Sequence, residues 1–350
     1  MDIKNYVACD NILGIQTTSK KIGWSFGDPP KTATKEEINQ CKIVVRFTVD
    51  SLKDEINRFE NSQKYHYWRG DEGRDELYYQ RNLFAGSKLR LLLRGIKSGN
   101  PEIIINKNYL RFVIGRFINL HSIGYQLTDL TCALLLQKQL CPLHCSSFSI
   151  GDSTVAVIAP GNTGKTLSTM RSVLHLGASF ISEDLAVIDG ENIYACPWTS
   201  TFRYYDELSM SWFLRMRMKL IKIVPPLELI PVHGGDRKIN AYIEDERILS
   251  KKKLTHTVIL ARRPGGVKVL DKEEALFMVR NLNRYEFMYM KSPMMTAYSY
   301  FNPELNIFEL EKTEKRILRE LVNNTTCLLV QSVDPTKFAD LILTNIQKCR

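Results

Sequence analysis

The chain has no apolar run of eighteen or more among its 350 residues, so no transmembrane helix is expected. It has no Cys-x-x-Cys pair. Its eight cysteines, Cys9, Cys41, Cys132, Cys141, Cys145, Cys196, Cys327 and Cys349, are scattered, mostly in apolar runs. They read as free buried thiols of a reducing cytoplasm. Cys141-Pro142-Leu143-His144-Cys145 has metal-ligating residue types, but no second pair completes a zinc site. Met1-Asp2-Ile3-Lys4-Asn5-Tyr6 lacks signal-peptide architecture, which makes a cytoplasmic location the expectation. No long basic tail or nucleic-acid recognition motif accompanies the net charge of +10. A nucleotide or an acidic peptide suits that charge, and no nucleic-acid partner is expected. Apolar content of 44% and charged content of 25% are ordinary globular proportions, and the length suffices for two or three domains.

What the chain does have is Ala159-Pro160-Gly161-Asn162-Thr163-Gly164-Lys165-Thr166, a phosphate-binding loop of the form (A/G)-x-x-x-x-G-K-(S/T). Thr154 to Ile158 before it is short, β-branched and apolar, a buried-strand pattern. Thr166 to Leu176 after it places Leu167, Met170, Val173 and Leu174 at helical spacing, and Gly177 supplies the stop. A loop at a helix N-terminus offers unpaired N–H groups to an anion. Pro160, Gly161, Asn162, Thr163 and Gly164 would wrap the phosphates, with the two glycines and Asn162 tolerating the unusual backbone. Lys165 would face the β- and γ-phosphates, and the Thr166 hydroxyl would hold Mg²⁺. A structural glycine-rich turn is the competing reading.

Ahead of the loop, residues 1 to about 40 read as polar and irregular. Lys42–Val49, Tyr65–Arg69 and Glu76–Arg81 read as strands, Lys88–Arg94 and Pro101–Asn106 are further short apolar runs, and the aromatics read as core and cross-strand pairs or, alternatively, as a binding face. Residues 1–125 are therefore expected to form a small β-rich N-terminal domain, with the nucleotide domain at 126–350. Tyr109–His121 and Thr128–Leu140 read as helices, Thr128 being a candidate cap. Leu143–Ile150 reads as one strand in hairpin register with the strand before the loop. The expected class is α/β with a mixed sheet.

Nineteen residues past Lys165, Ser182-Glu183-Asp184-Leu185 places two acids inside the apolar stretch from Phe180 to Ile188. Buried carboxylates demand partners. Mg²⁺ or a proton-transfer role would supply them, and a solvated turn is the alternative.

Leu143-His144, the hairpin, the loop, the helix ending at Gly177 and Ser182-Glu183-Asp184-Leu185-Ala186-Val187-Ile188-Asp189 together resemble the nucleotide domain of the HPr kinase/phosphorylase family, which is related in fold to phosphoenolpyruvate carboxykinase. The close resemblance covers about residues 140 to 205. A weaker one continues through Thr255–Arg263 and Lys272–Arg280, toward relatives that include the lasso-peptide tail kinases, which phosphorylate a seryl hydroxyl. The resemblance implies that Glu183 is the general base for a substrate hydroxyl and that Asp184 helps hold Mg²⁺. It implies that His144 sits beside the base and adjusts its charge state. The family usually has Asp where Glu183 stands, and its loop usually reads G-x-S-G-x-G-K-S. Its C-terminal signature is absent here, so phosphorylase activity is not expected.

Downstream, Arg203 follows the Pro-containing stretch Ile193–Trp198, as an arginine near the phosphates does in related kinases. Asp206–Val224 reads as a basic, Met-rich helix, either ordinary packing or a lid or peptide groove. In His233–Lys238, Arg237 and Lys238 either clamp the transferred phosphate or belong to a plain turn. The expectation is an ATP- and Mg²⁺-dependent kinase acting on a hydroxyl, with Ser of a peptide or protein, including a natural-product precursor peptide, as acceptor. A small-molecule hydroxyl is an open variant. The alternative is a nucleotide-binding regulatory module without transfer. A homo-oligomer is compatible with the family's habits.

Overall fold

The computed structural model describes residues 3–19, 31–52, 65–69, 75–83, 86–114, 123–196, 216, 243–287 and 289–348. The fold is mixed α/β. Its first sheet comes from β1 (Lys4–Ala8), β2 (Leu13–Thr17), β3 (Lys31–Thr32), β4 (Ile43–Val49), β5 (Tyr65–Arg69), β6 (Glu76–Asn82), β7 (Lys88–Arg94) and β8 (Glu102–Ile105), in the order β3-β1-β2-β4-β8-β7-β6-β5. The pairs β2–β4 and β4–β8 are parallel and the others antiparallel. Helix α1 (Lys35–Gln40) opens with a capping box, in which the Thr34 hydroxyl accepts from the Glu37 N–H and the Glu37 carboxylate from the Thr34 N–H.

Residues 1–40 are thus not irregular throughout. Three consecutive non-glycine residues, Cys9, Asp10 and Asn11, carry φ of 55°, 54° and 59° and turn β1 into β2. None of the usual glycine or proline punctuation marks that turn.

Helices α2 (Lys107–Ile114) and α3 (Ile123–Gln137) lead toward the phosphate-binding loop. Thr128 lies inside α3 rather than at its start. Leu127, Leu130, Leu134, Leu135 and Leu136 are all buried, because α3 packs against the first sheet on one side and later helices on the other. Each such leucine contributes about 1.5–3 kcal/mol of transfer free energy. One apolar cluster runs without a break from Val45 and Leu91 through Leu130 to Leu143, Val187 and Leu321.

Beyond α3 come β9 (Cys141–Leu143), β10 (Ser146–Ile150), β11 (Ser153–Ile158), α4 (Lys165–His175), β12 (Ser179–Ser182), β13 (Ala186–Ile188) and β14 (Asn192–Tyr194). The chain resumes with β15 (Lys251–Lys253), β16 (His256–Ala261), β17 (Val267–Val269), α5 (Lys272–Glu286), α6 (Pro293–Phe301), α7 (Ile307–Asn324), β18 (Thr326–Gln331) and α8 (Phe338–Lys348). The second sheet runs β12-β10-β11-β16-β18-β17, with β11, β16 and β18 parallel at its centre. The third runs β15-β14-β13-β9 and is antiparallel. Among the described residues no helix is long and apolar enough to cross a membrane. Seven cysteines are free thiols, six of them buried; Cys349 lies outside the described residues.

The expected single strand Leu143–Ile150 is two strands in two sheets. Residues 141–150 and 179–188 form one antiparallel ribbon that changes sheet midway. At one end β9 pairs β13 in the third sheet, and at the other β10 pairs β12 in the second. His144, Cys145, Glu183, Asp184 and Leu185 lie at the joint, outside the strands. Both faces of the ribbon are buried, so the hydrophobic pattern does not register the change of sheet.

The loop leaves the carboxyl end of β11, where ligands bind in open α/β sheets. Gly164 holds φ +124°, and a Cβ there would lie 3.1 Å from Pro335 Cβ and 3.3 Å from Phe338 Cδ2. Gly161 has open space around it. Gly164→Ala is therefore expected to lose about 1–3 kcal/mol of stability from backbone strain, whereas Gly161→Ala stays within about 0.5 kcal/mol. Urea-unfolding midpoints of the two variants check this.

Candidate functional site

The loop presents the groups the motif requires. Asn162 takes the left-handed conformation at φ 61°, and Pro160, Gly161 and Asn162 are exposed, while Thr163, Lys165 and Thr166 are buried. The first turn of α4 is consequently polar inside, an arrangement with few partners for its N–H groups and hydroxyls unless an anion or carboxylate faces them.

Glu183 is such a carboxylate. It is 0% exposed, and its Oε1 accepts a 2.6 Å hydrogen bond from the Thr166 hydroxyl. The joint of the ribbon holds it there. The Ser146 hydroxyl donates to the Glu183 carbonyl, and the Ser147 and Ser182 hydroxyls bond each other at 2.6 Å across β10 and β12. A hydrogen bond from a hydroxyl to a carboxylate is worth about 1.5–3 kcal/mol. Asp184, the next residue, is more open, with its side chain 47% exposed.

Lys165 Nζ donates to the Ala159 carbonyl at 3.0 Å and bonds His144 Nε2. An ammonium must donate, so Nε2 carries the lone pair and the His144 proton sits on Nδ1, 3.7 Å from Asp184 Oδ1. Burial, then the Lys165 charge, push the His144 pKa down to about 4. His144 is thus neutral near pH 7, and its approaches to Asp184 and to Glu286 Oε2, the latter at 3.8 Å, are dipolar contacts rather than ion pairs. Burial also lowers the Lys165 pKa, while the charges of Asp184 and then Glu286 pull it back up. An arriving phosphate would add to the countercharge that Asp184 and Glu286 give this lysine.

Two participants, Asn283 and Glu286, come from α5. Buried Asn283 accepts from the His144 N–H at 3.1 Å and donates to the Pro142 carbonyl at 3.1 Å and to Glu314 Oε1 at 2.8 Å. It thereby ties the last turn of α5 and the face of α7 to β9. Burial raises the Glu286 pKa, with the Asp184 charge second. The resemblance seen in the sequence runs only to Arg280, short of both residues. Their signal was the stripe Ala275, Leu276, Val279, whose next inward position is occupied by Asn283. A polar residue on a buried stripe needs partners.

Thr166, Glu183 and Asp184 offer the hard oxygen atoms that Mg²⁺ prefers. Among the described residues no three His, Cys, Asp or Glu side chains form a metal cage. Mg²⁺ needs none beside a nucleotide, since one or two carboxylates, water and phosphate oxygens complete its shell. Of the residues expected from sequence, the structure gathers His144, Lys165, Thr166, Glu183 and Asp184 around one joint. Arg203, Arg237 and Lys238 lie outside the described residues, as does all of 206–224 except Met216. No protein-family model and no curated protein matches the chain.

The neutral state of His144 has a measurable consequence. In the unfolded chain the imidazole takes its proton near pH 6.5, and in the folded protein only near pH 4. Between those values the unfolded state binds the extra proton, so stability falls as pH falls through that window, by roughly 3 kcal/mol at most. His144→Gln is expected to flatten that slope. Urea unfolding of both proteins from pH 7 to pH 4 measures it.

Proposed function

We propose that the chain is a kinase that uses ATP and Mg²⁺ to phosphorylate a hydroxyl, with serine of a peptide or protein as the acceptor class. One observation carries this reading: the hydroxyl of the loop threonine is engaged by a fully buried carboxylate beside a buried lysine, at the carboxyl end of a central parallel strand. A glycine-rich turn with only a structural role has no use for that arrangement. The resemblance to HPr-kinase-like enzymes agrees with it, as do the acids returning to the sheet after a single helix. The reading includes a cytoplasmic location and a nucleotide partner.

In this reading the N–H groups of residues 161–166 and Lys165 hold the β- and γ-phosphates. Thr166, Glu183 and Asp184 would hold Mg²⁺, which when bound neutralises phosphate charge. Catalysis is then mostly positioning and electrostatics. The base role that the resemblance gives to Glu183 meets an obstacle, because a carboxylate with no exposed surface and a hydroxyl already on it has no route to an incoming acceptor. Glu183 belongs on the metal side, behind Thr166.

Incubation with γ-labelled ATP, Mg²⁺ and serine-containing peptides tests the reading. Label on a peptide hydroxyl is expected, with at least a 100-fold loss in Lys165→Ala. Calorimetric binding of ATP with no label on any acceptor would instead support the nucleotide-binding module.

A further inference from the structure

With Glu183 behind Thr166 and Asp184 assigned to Mg²⁺ in the proposed reading, the structure offers a further carboxylate on another element. Glu286 is the last residue of α5, and its Oε2 lies 3.8 Å from the His144 nitrogen that also contacts Lys165 Nζ. Its side chain is 39% exposed, and its charge acts on Lys165, the lysine that would carry the phosphate.

The location is electrostatically unfavourable. The C-terminus of a helix carries a partial negative charge that disfavours a carboxylate. The nearest cation of the same turn, Arg284, is turned to Glu311 on α7. What fixes Glu286 is a buried joint: Asn283, three residues earlier and on the same face, is hydrogen-bonded to the His144 backbone and to Glu314. The end of α5 from which the Glu286 side chain projects is therefore anchored beside His144 by a bonded support, a condition for accurate placement of a reacting group.

We propose that Glu286 is the general base of the transfer, an assignment that rests on the kinase reading. As the acceptor oxygen forms its bond to the γ-phosphorus, the bond from that phosphorus to the β,γ-bridging oxygen breaks. The electron pair leaves with ADP, and the hydroxyl proton passes to the Glu286 carboxylate. In this assignment Asp184, near His144 Nδ1, stays with Mg²⁺, while Glu286 lies near Nε2.

The test compares wild type, Glu286→Gln, Glu286→Asp and Tyr285→Phe, using γ-labelled ATP, Mg²⁺ and a degenerate library of serine-containing peptides. A positioned base contributes about 10²–10⁴-fold. Glu286→Gln is expected to lower kcat at least 100-fold, with the calorimetric Kd for ATP and the KM for ATP within about threefold of wild type. Glu286→Asp should recover part of kcat, and Tyr285→Phe, on the exposed side of the helix, should match wild type. A Glu286→Gln protein with kcat within threefold of wild type overturns the assignment and leaves the kinase reading standing. So does one whose loss lies in ATP affinity rather than in kcat. Wild-type protein that labels no acceptor overturns the kinase reading and the assignment together.

Discussion

A buried glutamate needs partners, and the hydrogen bond from Thr166 is one that makes the position of Glu183 tolerable. The bond ties the phosphate-binding loop to the acids that follow it. Both sides of the bond depend on distant structure. Thr166 is placed by β11 and the first turn of α4, and Glu183 by the point at which the 141–150 and 179–188 ribbon passes from one sheet to another. The same change of sheet frees His144 from strand pairing and sets its ring against Lys165. The ladder of backbone bonds is interrupted at one place, and the side chains with chemistry occupy that place.

The second layer of support reaches across the chain. Asn283 joins α5, α7 and β9 through three hydrogen bonds. The helices that cover the core thereby also set the geometry of the loop's surroundings. Phe338 and Pro335, near the start of α8, close on Gly164 from the other side. The loop is held between two packed helical supports, while its exposed residues Pro160, Gly161 and Asn162 are free to meet a ligand.

Much of this was legible in the sequence. The loop, its flanking strand and helix and the hairpin turn before it follow from periodicity and glycine placement, and the structure has them where expected. The first two strands were not legible, because their turn uses Cys9, Asp10 and Asn11 in left-handed conformations without a glycine. The division of 143–150 was hidden because residues buried on both faces look the same in either sheet. The separate fates of Glu183 and Asp184, one sealed and one half exposed, are a tertiary property that adjacent letters do not encode. Glu286 was missed because the resemblance seen in the sequence runs only to Arg280.

The account stands or falls on which side of the reaction Glu183 serves. Calorimetric titration of ATP into wild type and Glu183→Gln, with and without Mg²⁺, decides it. The account predicts that the tightening of ATP binding produced by Mg²⁺ shrinks about tenfold or more in the variant, while binding without Mg²⁺ stays close to wild type. A variant that binds Mg²⁺ and ATP as wild type does, yet transfers no phosphoryl group, would contradict it and return the role of base to Glu183.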